Sequence, residues 1–272
     1  LEALQAEGFT VTLLRPQANG IVTAAQVAEA ITDTTCLVSV MYANNETGAI
    51  QPIREIGALC RKRDILFHTD AVQAAGHLTI DVQRDNIDML SLSAHKFHGP
   101  KGIGLLFANS NIQLTSLIRG GGQERGKRAG TENLPGIIGL AAALKDAQEN
   151  MQANTAYITG LRDALRNGLD KIDGASFNGS REHCLPGTVN YSFQGVNGEA
   201  LLSLLSNEGI CCSSGSACST GSLEPSHVLL ALGLSHETAQ SALRFSLCEY
   251  NTMDEVQTII TKVTEAVNRL RR

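Results

Sequence analysis

The segments ILFHTDAVQ (residues 65–73) and IDMLSLSAHK (residues 87–96) decide the fold of this chain. Each starts as a short apolar run, typical of a buried strand, and ends in polar side chains that packing does not require. Between residues 9 and 109 such runs alternate with helical patterns. This alternation predicts an α/β fold, in which helices cover both faces of a mostly parallel sheet.

The same patterns predict the elements along the chain. The predicted strands of the sheet are residues 9–14, 36–42, 65–69, 89–93 and 103–108, and the predicted helices between them are residues 23–31 and 52–63. A long helix from residue 135 to about residue 172 follows, then strands at residues 187–193 and 243–247 and helices at residues 198–207 and 253–270. We therefore predict a larger domain, residues 1–145, followed by the linking helix and a smaller α+β domain with a mobile cysteine loop, residues 146–272.

Composition excludes several classes of protein. The 272 residues are 43% hydrophobic and 18% charged with a net charge of -5, which gives no reason to expect nucleic acid as a partner. No apolar run approaches the roughly 20 residues that span a bilayer. Seven cysteines without paired metal-ligand spacing, and with no export signal, predict cytoplasmic thiols and no disulfide framework. The chain starts at Leu1 inside a helical pattern, which predicts that an N-terminal segment is missing.

Polar residues at the strand ends predict the chemistry. Functional residues in such sheets lie at the carboxyl ends of the strands, where Asp70 and Lys96 are expected. A lysine there can form a Schiff base with pyridoxal phosphate, and a carboxylate can keep the pyridine nitrogen protonated. Lys101 is the main rival of Lys96, and Asp70 could instead cap a helix. Ser93 and His95 could contact a phosphate, or could be ordinary polar groups at a strand end.

Two further residues are candidates for substrate chemistry. Cys218 lies in a small, polar stretch, residues 211–222, where a reactive thiol would have access to its target. Arg244 interrupts the apolar strand predicted at residues 243–247. An arginine there needs a partner, which could be a substrate carboxylate or a structural ion pair.

Taken together and in order, these motifs resemble the NifS/IscS-type cysteine desulfurases, in the class V aminotransferase group of pyridoxal-phosphate enzymes. The motifs are NNETG (44–48), TDAVQA (69–74), SAHKFHGPKG (93–102), GGGQERGKRAGTEN (120–133), SSGSAC (213–218) and RFSL (244–247). The resemblance implies the three-layer large domain of fold type I pyridoxal-phosphate transferases and a smaller C-terminal domain. It also implies that about a hundred N-terminal residues of the family are absent. The run GSLEPSHVL (221–229) is similar to the nitrogen-fixation branch.

The resemblance also implies a role for each site residue. It assigns cofactor binding to Lys96, Asp70, Gln73, Ser93, His95, Asn45 and Thr131, with pyridoxal 5'-phosphate as the cofactor. Thr131 would reach the phosphate in the other subunit of a homodimer. Asn45 and Arg244 would hold the carboxylate of L-cysteine. Cys218 would be the nucleophile. It would also be a candidate ligand for an iron–sulfur cluster that is shared with a scaffold protein.

The implied reaction converts L-cysteine to L-alanine and leaves a persulfide on Cys218. The sulfur would pass to an iron–sulfur scaffold protein, for general cluster assembly or for nitrogenase. Two alternatives stay open. One is a related lyase that acts on selenocysteine or another C–S bond, and the other is a catalytically silent sulfur-transfer fragment.

Overall fold

The computed structural model describes residues 1–215 and 224–272, which form two compact units. The parallel unit comprises Cys36–Ala43 and Ile53–Ala153, and the antiparallel unit comprises Leu1–Thr35, Asn44–Pro52 and Asn154–Arg272. The two domains predicted from the sequence, residues 1–145 and 146–272, are a different division of the chain and stay a prediction.

The parallel unit contains a four-stranded sheet in the order β1-β2-β3-β4. Its strands are β1 Leu37–Ser39, β2 Leu66–Asp70, β3 Met89–Ser93 and β4 Gly104–Ala108. The first three strands are parallel, and β4 runs antiparallel to β3. The mostly parallel α/β sheet predicted from the sequence is therefore confirmed.

Helix α3 (Ile53–Lys62) belongs to the same unit and packs on β2. Ile53, Ile56 and Cys60 form its buried face, as their spacing predicts. Gly57 lies on that face as well, where a β-carbon would come within 2.1 Å of the Asp85 carbonyl oxygen. The helix therefore approaches the following backbone so closely that only glycine fits.

His68 connects three strands of the sheet. Its Nδ1 lies 2.8 Å from the Ser39 hydroxyl on β1, and its Nε2 lies 2.8 Å from the Ser91 hydroxyl on β3. Burial lowers the pKa of His68, while the nearby Asp70 raises it by a smaller amount. The neutral imidazole, with one nitrogen donating and the other accepting, is therefore the form that the folded chain favours.

We expect the free energy of unfolding to fall as the pH drops below about 6.5, the pKa of an unperturbed histidine. Because the pKa of His68 is lowered on folding, the unfolded chain binds the proton more readily, and acid favours unfolding. The contribution of this one proton cannot exceed about 1.4 kcal/mol per pH unit.

Urea titrations between pH 5 and pH 8 measure the free energy of unfolding at each pH. His68→Gln should flatten the pH dependence, and the exposed control His236→Gln should leave it unchanged; equal curves for all three proteins would contradict the prediction.

The antiparallel unit contains a three-stranded sheet, β5 Ala175–Phe177, β6 Thr188–Phe193 and β7 Ala242–Ser246, in that order. Its helices are α1 Glu2–Ala6, α2 Ala24–Ala30, α5 Gly198–Asn207, α6 His227–Ala231, α7 His236–Gln240 and α8 Met253–Leu270. Helix α4 (Leu134–Leu169) begins in the parallel unit and ends in this one. Its second part, with α5 and α8, covers a core built around Tyr191 and Phe193 of β6.

Most predicted elements are confirmed within a few residues. Helices α5 and α8 have the predicted bounds, and the capping box that begins α8 joins Thr252 to Glu255. The strand predicted at residues 9–14 is wrong, because these mostly exposed residues form no ladder with any described segment. Strand β5 was not predicted, since three residues are too few to show a period.

Within residues 1–215 and 224–272, no helix combines the length and the apolarity that are needed to span a bilayer.

Candidate active site

The carboxyl edge of the parallel sheet carries the predicted cofactor residues. Strands β2 and β3 are neighbours and parallel, with Asp70 paired to Ser91. Asp70 is the last residue of β2, Ser93 is the last residue of β3, and a 3-10 helix, Ala94–Phe97, follows β3 at once. The fold thus brings Asp70, Ser93, His95 and Lys96 to one edge of the sheet.

Asp70 is exposed and shapes the turn that follows its strand. Its Oδ1 accepts a hydrogen bond from the Val72 N–H at 2.9 Å. The Ala71 N–H donates to the Ser91 carbonyl at 2.9 Å, which ties the start of this turn to β3. A carboxylate has two oxygens and several acceptor positions, so capping its own turn is compatible with a second role toward a ligand.

Lys96 is half-buried and lies on a backbone fixed on both sides. Its neighbours Ala94 and Phe97 are buried and pack with Ala75 and Leu140. The 3-10 helix then ends at His98, which has a left-handed φ of 64°. The rival Lys101 is exposed in the following turn. Lys96, half-buried on this fixed backbone, is therefore held in a better defined position for a nucleophile than Lys101.

The remaining cofactor candidates of this unit lie in different surroundings. Gln73 is half-buried in the turn after β2, and His95 is exposed beside Lys96. Thr131 is exposed in the segment that precedes α4. Its predicted reach into a partner subunit stays a prediction.

Asn45 and Arg244 meet in the antiparallel unit although 199 positions separate them in the chain. The Arg244 guanidinium donates through Nη1 to the Asn45 carbonyl oxygen at 2.9 Å. Arg244 lies on β7 and is paired in register with Asn190 of the central strand β6. The two residues predicted to bind a substrate carboxylate are therefore neighbours, and a guanidinium is the side chain whose planar geometry best matches a carboxylate.

The predicted nucleophile, Cys218, lies outside the described residues. The segment that leads to it is described as far as Gly215, and it is anchored beside Arg244. The Ser213 N–H donates to the Arg244 carbonyl at 3.1 Å, and the Arg244 N–H donates to the Ser213 carbonyl at 2.6 Å. The cysteine segment therefore starts next to one of the predicted carboxylate-binding residues.

Cys212, close to Cys218 in the chain, has a different chemical character. Burial and, to a smaller extent, the neighbouring Cys211 together raise the pKa of Cys212 to about 11. A thiol with this pKa is almost fully protonated near neutral pH, and the thiolate is the reactive form. Cys212 is therefore poorly suited to compete as a sulfur nucleophile.

The sequence predicts no role for His68. Period-two alternation places His68 on the same face of β2 as Asp70, which is the signal that could have found it. In the part of the chain that the structure describes, no group of three or more His, Cys, Asp and Glu side chains could hold a metal ion. The iron–sulfur role predicted for Cys218 stays a prediction.

The side chains at the sheet edge fit the requirements of a phosphorylated pyridine aldehyde. Lys96 supplies an amine for the aldehyde, and Asp70 supplies a carboxylate for the ring nitrogen. The Ser93 hydroxyl and the His95 imidazole can donate hydrogen bonds to phosphate oxygens. This donor set suits pyridoxal phosphate.

Comparisons with known proteins give a consistent result. The family model described as Aminotransferase class-V matches residues 1–259. The chain is 49% identical over 271 residues to the cysteine desulfurase IscS of Clostridium botulinum (strain Hall), covering 98% of this chain and 68% of that protein.

Solved structures are similar as well. One is a NifS-like protein with 37% identity and a TM-score of 0.90, covering 98% of this chain and 71% of that one. Another is SspA in complex with cysteine, with 40% identity and a TM-score of 0.76, covering 92% and 70%.

Proposed function

Because this chain belongs to the class V aminotransferase family, we propose that it is a pyridoxal-phosphate-dependent cysteine desulfurase. The reaction converts L-cysteine to L-alanine and places the sulfur on Cys218 as a persulfide. The observation that carries the proposal is the pair of parallel strand ends that set Asp70 and Lys96 at one edge of the sheet. A relative 49% identical over 98% of the chain is named a cysteine desulfurase, which supports the choice of substrate.

The residues at the sheet edge bind the cofactor and move one proton. Pyridoxal phosphate supplies an electron sink for the carbanion at the substrate α-carbon. Lys96 would hold the cofactor through its amine, and Lys96 Nζ would accept the proton from the substrate α-carbon. Asp70 keeps the pyridine nitrogen protonated. Ser93 and His95 hold the phosphate, and Gln73 contacts the ring oxygen.

Two residues orient the substrate. Arg244 and Asn45 bind the carboxylate of L-cysteine, where the planar guanidinium favours one orientation of the amino acid. Similarity to SspA, solved in complex with cysteine, supports a cysteine-binding role. In this role the contact between Arg244 Nη1 and the Asn45 carbonyl fixes the direction of the guanidinium.

Cys218 carries out the sulfur transfer. Its thiolate attacks the substrate sulfur, so that a sulfur–sulfur bond forms while the bond between that sulfur and the substrate β-carbon breaks. The electron pair left on the substrate is protonated at the β-carbon, and alanine is released. The persulfide then passes to an iron–sulfur scaffold protein.

The proposal also covers the oligomeric state of the protein and its location in the cell. We assign the protein to a homodimer in the cytoplasm, in which Thr131 reaches the phosphate of the partner's cofactor. General cluster assembly and a role in nitrogen fixation both fit the reaction, and the acceptor protein would distinguish them.

The test is a stoichiometric assay on the purified protein loaded with pyridoxal phosphate. L-cysteine should change the visible absorption band, and alanine and sulfide should form in equal amounts with a reductant present. Without reductant, the peptide that contains Cys218 should gain the mass of one sulfur atom. Absence of alanine, or added sulfur on another cysteine, would contradict the proposal.

A further inference from the structure

The central strand β6 of the antiparallel unit carries buried polar side chains for which the reaction described above has no use. Val189, Tyr191 and Phe193 belong to the apolar core, and Asn190 and Ser192 alternate with them along the strand. Asn190 and Ser192 are both buried. Because a buried amide is costly unless it is hydrogen-bonded, the partners of Asn190 indicate its purpose.

The Asn190 side chain donates to the segment that contains Asn45. Its Nδ2 donates to the Glu46 carbonyl oxygen at 3.1 Å. Arg244 is paired in register with Asn190 on the neighbouring strand and donates to the preceding carbonyl, that of Asn45, at 2.9 Å. Residues directly opposite each other on two strands project from the same face of the sheet. Two adjacent side chains therefore bind two successive carbonyl groups of one segment.

Asn178 fixes the orientation of the Asn190 amide. Asn178 Nδ2 donates to Asn190 Oδ1 and to the Ser192 hydroxyl oxygen, each at 2.8 Å. The Asn178 N–H also donates to the Asn190 carbonyl at 2.9 Å. Since the Glu46 carbonyl can only accept, the group that faces it has to be the NH₂ of Asn190, and the amide oxygen then faces Asn178. The network therefore permits a single orientation of this amide.

The turn that contains Asn45 is buried except at Asn45 itself. Asn44, Glu46 and Thr47 are buried, whereas Asn45 is half-buried. Asn44 Oδ1 accepts from the N–H groups of Glu46 and Thr47, each at 2.9 Å. The Glu46 carboxylate accepts from the Ser226 hydroxyl at 2.5 Å. The neighbours of Asn45 thus hold the backbone, and Asn45 is the residue of this turn that a ligand can approach.

On the basis of the proposed function, we infer that Asn190 is a positioning residue for the substrate carboxylate. Asn190 holds the Glu46 carbonyl while Arg244 holds that of Asn45, so that Asn45 and the guanidinium keep one relative position. Recognition by two side chains requires that each be placed to within about 0.5 Å. Without the Asn190 donor, the Glu46 peptide group can rotate, and Asn45 moves with it. Asn190 acts through Asn45 and does not contact the substrate.

The test separates recognition of the carboxylate from the rest of the site, in the intact, cofactor-loaded protein. The concentration that gives half of the visible absorbance change is measured for L-cysteine and for cysteamine, which has the same amine and thiol but no carboxylate. Asn190→Leu keeps a side chain of similar shape and removes the donor. We expect it to raise the half-saturating concentration of L-cysteine about 10-fold, as the loss of one hydrogen bond predicts, and to leave that of cysteamine within about twofold.

Ser192→Ala is the matched control. Ser192 is buried on the same strand and shares the partner Asn178, but its hydroxyl bonds to Asn178 and not to the turn that contains Asn45. Loss of a buried polar group alone would therefore affect both variants, whereas we expect Ser192→Ala to keep both half-saturating concentrations at the wild-type values. Asn190→Ser is a second, smaller substitution. Its hydroxyl is one bond too short to replace the amide, so it should give the same result as Asn190→Leu.

A second readout needs neither cofactor nor substrate. Hydrogen exchange at the Thr47 N–H, which donates to Asn44 Oδ1, should accelerate in Asn190→Leu and not in Ser192→Ala, because only the first variant releases the turn. Half-saturation by L-cysteine within twofold of wild type in both Asn190 variants would overturn the inference, as would an equal loss for L-cysteine and cysteamine. If wild-type protein shows no absorbance change with L-cysteine, the proposed function fails and this inference fails with it.

Discussion

Replacing Lys96 by alanine is expected to remove the visible band that pyridoxal phosphate gives with the protein and to lower alanine formation by about 10³-fold or more. The physical reason is that one amine both attaches the cofactor and accepts the proton from the substrate α-carbon. Lys96 is half-buried at the end of β3, on a backbone held by buried Ala94 and Phe97. Lys96 is the only lysine in the 3-10 helix Ala94–Phe97, so no second amine in this helix can replace it.

Lys101→Ala is the matched control for this experiment. Lys101 is also a lysine, five positions further along the chain, but it is exposed in a turn. We expect its variant to keep the band and the rate within about twofold, as surface substitutions usually do. A band that survives in Lys96→Ala and disappears in Lys101→Ala would assign the cofactor to Lys101.

Replacing Gly57 by alanine is expected to lower the free energy of unfolding by about 3 kcal/mol, the upper end of the range for overpacking. Intrinsic helix propensity alone predicts the opposite sign, since alanine is favoured over glycine in a helix by up to about 1 kcal/mol. In α3, however, the new β-carbon would lie 2.1 Å from the Asp85 carbonyl oxygen and 3.1 Å from that of Asn86. These are backbone atoms, which cannot turn away as a flexible side chain can. The helix or the following segment has to shift.

Gly160→Ala supplies the control, because Gly160 is an exposed glycine in α4. Outside its own helical turns, no atom of the described residues lies within 4 Å of an added β-carbon. Its variant should be more stable than wild type by about 0.5–1 kcal/mol. Urea unfolding followed by circular dichroism measures both changes as shifts of the midpoint at constant slope. Similar midpoints for the two variants would show that the contact at Gly57 relaxes without cost.

The sequence predicted elements well where the signal is local. Helix α8 shows an apolar face at helical spacing and a capping box, and its bounds are as predicted. Strand β3 is a short apolar run that ends where polar residues begin, and it too has the predicted bounds. The strand predicted at residues 9–14 has the same local appearance but lacks a neighbour among the described residues. A strand is stable only when another strand satisfies its backbone groups, and that partner is not encoded within the strand itself.

Several features of the site could not be read from the sequence. Period-two alternation places His68 on the same face of β2 as Asp70, but its partners follow only from the register that puts Ser39 and Ser91 on either side. The direction of β4 depends on how the chain turns after the 3-10 helix. Glu46 belongs to a motif that resembles a known family, but its bond to Ser226 links residues 180 positions apart.

By itself, the sequence determined the α/β class, most of the helices and strands, and the residue types that bear the chemistry. It could do so because periodicity, capping and consecutive motifs depend on residues that are near one another in the chain. Only the tertiary structure decided that Arg244 donates to the Asn45 carbonyl and that the Ser226 hydroxyl donates to the Glu46 carboxylate. Such contacts form when packing brings distant segments together, and no local preference of either segment specifies its partner.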